Sequence, residues 1–262
     1  MISRKTGLTI LFVITIIVAV VDFMLPPIPQ PQWYHIFADQ RSFLGIPNFG
    51  DVVSNVPFAI FGLWGLIFLL RLKPEQISEH FTDRRERWFY LIIFVGIFLT
   101  AFGSSYYHLA PDNARLVWDR LPMTIVFMAL ISALIAERIS LRVGLWLLPI
   151  LLVIGVGSVL QWYISELRGA GDLRFYATVQ TYAIIFLLMA LLFPPRYTRG
   201  SDLAIVAGFY VVAKVLETFD KQIFRLGNIV SGHTLKHLAA AFAGYWILRM
   251  LQRRRPIPGT AV

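Results

Sequence analysis

Apolar runs of about 18 or more residues recur along the whole chain, parted by short segments that hold many of its Lys and Arg residues. The runs predict eight helical spans, near residues 6–24, 51–70, 88–108, 116–136, 143–164, 174–193, 202–219 and 233–251. A hydrocarbon layer about 30 Å thick takes about 20 helical residues, so each run has close to the length a crossing needs. The longest connection, about residues 25 to 50, is rich in Pro, Trp and Gln and is expected to lie on the membrane surface. Arg4 and Lys5 precede the apolar run Leu8 to Val21, as in a signal peptide. The run ends in Asp22-Phe23-Met24-Leu25-Pro26-Pro27 without a small-x-small cleavage site, so it reads as an uncleaved first span.

Composition agrees with that reading. The 262 residues are 57% hydrophobic and 15% charged, where a soluble chain carries about 25% charged residues. A net charge of +9 would suit a nucleic-acid binder, but the basic residues are scattered among short connections, so no nucleic acid is expected. They act instead as topology determinants. With the N-terminus inside, 15 of the 24 Lys and Arg residues fall on the inner side, which places both termini in the cytoplasm. There is no cysteine, which excludes disulfides and thiolate metal sites.

Ionisable side chains within spans are costly and tend to face the bundle interior. His108 closes the third span, with Ser104 one turn before it. A short link, LAPDNA, leads into the fourth span, where Asp119 lies about one turn down. So tight a hairpin makes the two helices antiparallel neighbours. His233 and His237 open the eighth span from the same, outer, side. At i and i+4 they share one helix face and can offer two imidazoles to one ion. With His108 they make three histidines at one depth, a catalytic zinc arrangement with a position left for substrate. Asp119 suits a general base or an orienter of a ligand imidazole, and Ser104 can hydrogen-bond the water or a developing oxyanion.

Blander readings exist for each part. An H-x-x-x-H pair alone also fits interfacial histidines, Asp119 beside Arg120 fits an ion pair, and Ser104 fits a bond to a backbone carbonyl. The matching depth of all five favours the metal. Lys214 and Glu217 read as an i, i+3 bridge, and Gln161, Gln180 and Tyr182 as interhelical hydrogen bonds. Lys236 is expected to snorkel to headgroups, Trp33 and Trp162 to sit in an aromatic belt, and His35 and His80 to be solvated.

The order Ser104-x-x-x-His108, Asp119, His233-x-x-x-His237 resembles the alkaline ceramidase family. That family belongs to the CREST membrane hydrolases, as do the adiponectin and progestin receptors. NFGDVVSNVPF (Asn48 to Phe58) and WDRLPM (Trp118 to Met123) are similar to segments of the ceramidase branch. The resemblance covers about residues 39 to 251. It implies an all-α integral membrane protein, a seven-transmembrane-helix zinc hydrolase core (51–251). Before the core come an extra N-terminal transmembrane helix and outer loop (1–50), and after it a basic cytoplasmic tail (252–262). It implies Zn2+ on His108, His233 and His237, with Asp119 and Ser104 assisting a water that cleaves the N-acyl bond of ceramide or a similar membrane lipid, near the outer face. The acidic calcium-binding segment of eukaryotic members is not recognisable, and Asp39 and Asn48 are its candidate remnants for Ca2+. Arg120 stands where the family often has an acidic residue. A second expectation is a zinc-containing receptor or signalling protein of the adiponectin/progestin receptor type.

Overall fold

The computed structural model describes residues 3–259. Among them the chain is all-helical: α1 (Arg4–Met24), α2 (Phe49–Val53), α3 (Val56–Arg71), α4 (Pro74–His80), α5 (Arg87–Leu109), α6 (Asn113–Arg138), α7 (Leu141–Leu167), α8 (Arg174–Ala190), α9 (Asp202–Thr218), α10 (Asp220–Arg225) and α11 (Gly232–Arg253). Five stretches are helical, long and apolar enough to cross a membrane: Lys5–Met24, Phe49–Arg71, Arg84–Leu109, Asn113–Arg138 and Leu141–Leu167. The remaining three runs also form helices. However, α8 and α9 have only 17 residues each, and α11 opens with two histidines and a lysine.

Local chemistry sets the helix ends. The Asp112 carboxylate accepts from Arg115 N at 2.7 Å to start α6, and Ser231 Oγ accepts from Thr234 N at 2.9 Å to start α11. α1 stops at Leu25, before Pro26-Pro27. Pro122 lies inside α6 and cannot donate to the carbonyl of Trp118. That carbonyl packs against Gly103 of α5, where a Cβ would collide with it. The two helices therefore approach backbone to backbone at the level of Ser104 and Asp119.

α5 packs along α6 and α3, α6 along α7 and α8, and α11 along α9 and α3. The main core runs through the bundle, with Ile93, Phe94, Leu134 and Leu248 fully or almost fully buried. α1 leans on α8 alone among its stronger contacts. There Thr178 Oγ1 donates to Asp22 Oδ1 at 2.5 Å, and Tyr182 Oη bonds Thr15 Oγ1 at 2.6 Å. The Tyr182 expectation is met; Gln161 is exposed.

The two bundle ends differ from the sequence expectations. The 25–48 segment is tied to the end of the bundle. Gln30 N donates to Glu166 Oε1 at 2.7 Å and Leu173 N to Ile28 O at 2.8 Å, and Phe37 is buried. His35 in this segment is half-buried, bonded to Tyr107 Oη and Asn113 Oδ1 at 2.9 Å each, so it is not solvated. At the opposite end Arg254 is buried and ion-paired with Glu137, and its Nε donates to His80 O at 3.0 Å. His80 is buried beneath this pair, again contrary to expectation. Removing one partner of such a buried pair costs about 3–5 kcal/mol.

Candidate metal centre

Three buried histidines meet at one point. His233 and His237 occupy the first two turns of α11, and His108 the last turn of α5. Their ligand atoms all lie within 4.8 Å of one another, and they are the one such group of three or more His, Cys, Asp or Glu among the described residues. His108 Nε2 and His233 Nε2 face each other at 3.3 Å. Two imidazole lone pairs at that distance repel unless a proton or a cation lies between them.

The surroundings fix the rings. Ser54 Oγ donates to Asp51 O at 3.1 Å, so its proton is committed. At 2.8 Å from His237 Nδ1 it then accepts the Nδ1 proton, which leaves the Nε2 lone pair free to bind a metal. His108 Nδ1 is buried with no hydrogen-bond partner, while its backbone carbonyl accepts from Asn48 Nδ2 at 2.8 Å. His233 N donates to Asp220 Oδ1 at 2.8 Å, and Ala38 N to Asp220 Oδ2 at 3.0 Å. One carboxylate thus ties α11 to the 25–48 segment. That segment lays Phe37 over the site, with ring centroids 4.6 Å from His108 and 4.7 Å from His233. Thr234 Oγ1 and Ser231 Oγ donate to Asp51 Oδ1 at 2.7 and 3.2 Å, which holds the start of α11 to α2. Three buried, converging imidazoles, one of them oriented from behind by Ser54, form a donor set that fits one metal ion.

Ser104 and Asp119 are buried beside this group, and their side chains interact. Both line a cavity of about 350 Å³, which His237 also lines. The void has a polar and an apolar half. Asp119, Lys236 and Glu217 mark one end, while Leu130, Leu187 and Val206 mark the other, further along α6 and α8 and near the start of α9. Such a volume matches a small lipid-like ligand.

Asp39 and Asn48 lie close to the centre, with protein partners. Arg41 Nη2 pairs with Asp39 Oδ2 at 2.7 Å, which holds the Asp39 carboxyl below the usual carboxylate range. Asn48, at φ +46°, sits in a left-handed turn and donates to the His108 carbonyl. Lys214 meets Glu217 at 2.5 Å, as expected. Lys236 does not snorkel: its Nζ lies 2.6 Å from Glu217 Oε1, a carboxylate on the cavity wall. Trp162 is fully buried rather than interfacial; the Arg120 guanidinium lies 4.1 Å from its ring.

Sequence reading missed Ser54, Asp51, Asp220 and Phe37. Ser54 and Asp51 stand in NFGDVVSNVPF, a stretch noticed only for its resemblance. Asp220 and Phe37 carry no local signal, since each acts on residues distant in sequence. No protein-family model and no curated protein matches this chain.

Proposed function

We propose that this chain is an intramembrane zinc-dependent lipid amide hydrolase of the alkaline ceramidase type, cleaving ceramide or a related N-acyl lipid to a fatty acid and an amine. In this reading the eight helical runs all span the membrane: α1, then a seven-helix core over residues 51–251, with both termini cytoplasmic. The observation that carries it is the buried group His108, His233 and His237, of which His237 lines a lipid-sized cavity together with Asp119 and Ser104.

His108, His233 and His237 would hold the ion. Bound zinc supplies a Lewis acid for the amide carbonyl and lowers the pKa of water towards about 7. The chain's own groups do the rest. The apolar half of the cavity seats the acyl chain and excludes water from it. Asp119 takes a proton from the attacking water and returns it to the amide nitrogen as the C–N bond breaks. Water's oxygen stays with the acyl carbon, so one amide and one water give one acid and one amine. Ser104 holds the Asp119 carboxylate in place with its one hydroxyl proton, which turns to the developing oxyanion once Asp119 has taken up the water's proton.

Metal analysis and fatty-acid release, measured on the purified full chain with a panel of N-acyl lipids, test this reading. Wild type is expected to carry stoichiometric zinc and to turn over at least one lipid. His108→Ala and His233→Ala should lose both. Asp119→Asn should keep the metal and lose about 10²–10⁴-fold in kcat. Histidine variants that retain stoichiometric zinc and full turnover would overturn the assignment. Zinc retention with no turnover of any N-acyl lipid would favour a receptor.

A further inference from the structure

Arg120 is 4% exposed and lines the cavity next to Asp119. Its Nη2 donates to Gln30 Oε1 at 2.8 Å, while Nη1 is buried with no hydrogen-bond partner. Aromatic rings surround it: Trp162 at 4.1 Å, Tyr176 at 4.4 Å and Tyr34 at 5.9 Å. Among the described residues no carboxylate forms an ion pair with it. A guanidinium never loses its charge, so an unpaired one in a bundle interior is costly, and such residues mark ligand paths. The rings offset part of that cost through cation–π attraction but leave Nη1 without a hydrogen-bond acceptor.

The rest of the polar end does not neutralise it. Lys214 and Lys236 share a single carboxylate, Glu217. The cavity wall therefore carries three cations against two carboxylates, Asp119 and Glu217, before any metal is counted. Position says which part of a lipid would meet Arg120. The apolar half lies further along α6, beyond Met123, towards Leu130, and takes the acyl chain. Arg120, Tyr34 and Tyr176 lie at the opposite end, near the starts of α6 and α8.

We infer that the cavity selects a lipid whose head carries a negative charge, a carboxylate or a phosphate, and that Arg120, with its unpartnered Nη1, receives it. The inference rests on the amide-hydrolase reading only for the bond that is cut. The acid product's carboxylate would also lie at this polar end, so palmitate is the ligand that separates the head from the acid. Arg120 is in this sense a specificity residue, since a planar fork of N–H donors matches a carboxylate or phosphate in a way a single ammonium does not.

Binding measurements that need no turnover test it. The full metal-loaded chain, in phosphatidylcholine nanodiscs, is titrated with uncleavable ligands in which a sulfonamide replaces the amide. These are N-(hexadecylsulfonyl)glycine, the phosphate ester of N-(hexadecylsulfonyl)ethanolamine and neutral N-(hexadecylsulfonyl)ethanolamine; palmitate, the acid product, is titrated beside them. Wild type is expected to bind at least one anionic-head ligand about tenfold or more tighter than the neutral one. Arg120→Gln should erase that preference while zinc content stays stoichiometric, and Arg120→Lys should restore part of it. Equal wild-type affinities for anionic and neutral heads overturn the inference, even if Arg120→Gln fails to fold. So does a preference that survives in a folded Arg120→Gln. Palmitate binding as tightly as the anionic-head ligands, and losing affinity in Arg120→Gln, would move the anion site to the acid and overturn the head assignment. An anion preference in a protein that hydrolyses no N-acyl lipid would instead retain this inference and fail the hydrolase reading.

Discussion

Ser54 acts on the candidate metal centre through His237. Its hydroxyl accepts the His237 Nδ1 proton because its own proton is bound to the Asp51 carbonyl. Ser54→Ala leaves a buried N–H without a partner and frees the ring to turn. Metal affinity should fall about 10–100-fold, as for other residues that orient ligand histidines. A chelator competition titration reads this directly, and an unchanged affinity would show that the ring is held by packing alone. The histidines themselves were legible in the sequence, because polar groups are rare in apolar runs and stand out there. Ser54 was not. Serine is ordinary at a helix start, and its role depends on a partner 183 positions away.

Between helices, the closest approach decides whether Ser104 reaches Asp119. Gly103 of α5 lies against the Trp118 carbonyl, the one that Pro122 leaves without its usual donor in α6. A methyl group there collides with backbone, which cannot move aside as a side chain can. Gly103→Ala should therefore lower both the melting temperature and any turnover, by prising α5 from α6 at the site. Gly157 of α7 is the control, since a Cβ there meets nothing within 4 Å. Gly157→Ala should be neutral or stabilise by up to about 1 kcal/mol, because alanine is the better helix former. Equal effects of the two substitutions would refute the close-approach argument. Helix positions were readable from apolar run length, and seven of the eight runs match one helix each within a few residues. The break between α2 and α3 was not expected; Ser54 and Asn55 interrupt the helix there, just where Ser54 turns to His237.

The bundle is closed differently at its two ends. At one end Phe37 and Asp220 cover the three-histidine group. At the other, Arg254 and Arg255 return from α11 over His80, with Arg255 Nη1 3.1 Å from His80 Nδ1 and Glu79 3.3 Å from Arg255. Burial, and then the nearby Arg255 charge, hold the His80 imidazole below its usual pKa. An unfolded chain takes up a proton at about pH 6.5 that the folded one refuses. The stability is then full above that pH and falls as the pH drops below it. Thermal melting of the full chain should occur at lower temperature at pH 5.5 than at pH 7.5. His80→Gln should shrink that difference, and a difference unchanged by His80→Gln would place the acid sensitivity elsewhere.

Run length, Lys and Arg placement and the rarity of polar groups in apolar stretches are local quantities, so the sequence carried the helices, their order and the level of His108, Asp119 and His233 along them. Convergence is not local. That three imidazoles meet within 4.8 Å, that the 25–48 segment caps them, that Lys236 turns inward and that Arg120 stays unpaired at a cavity wall all depend on which faces of distant helices pack together. The hydrophobic effect drives apolar surface together without specifying partners. The close approach at Gly103 and the hydrogen bonds of Asp51 and Asp220 select one arrangement, and only the folded bundle displays it.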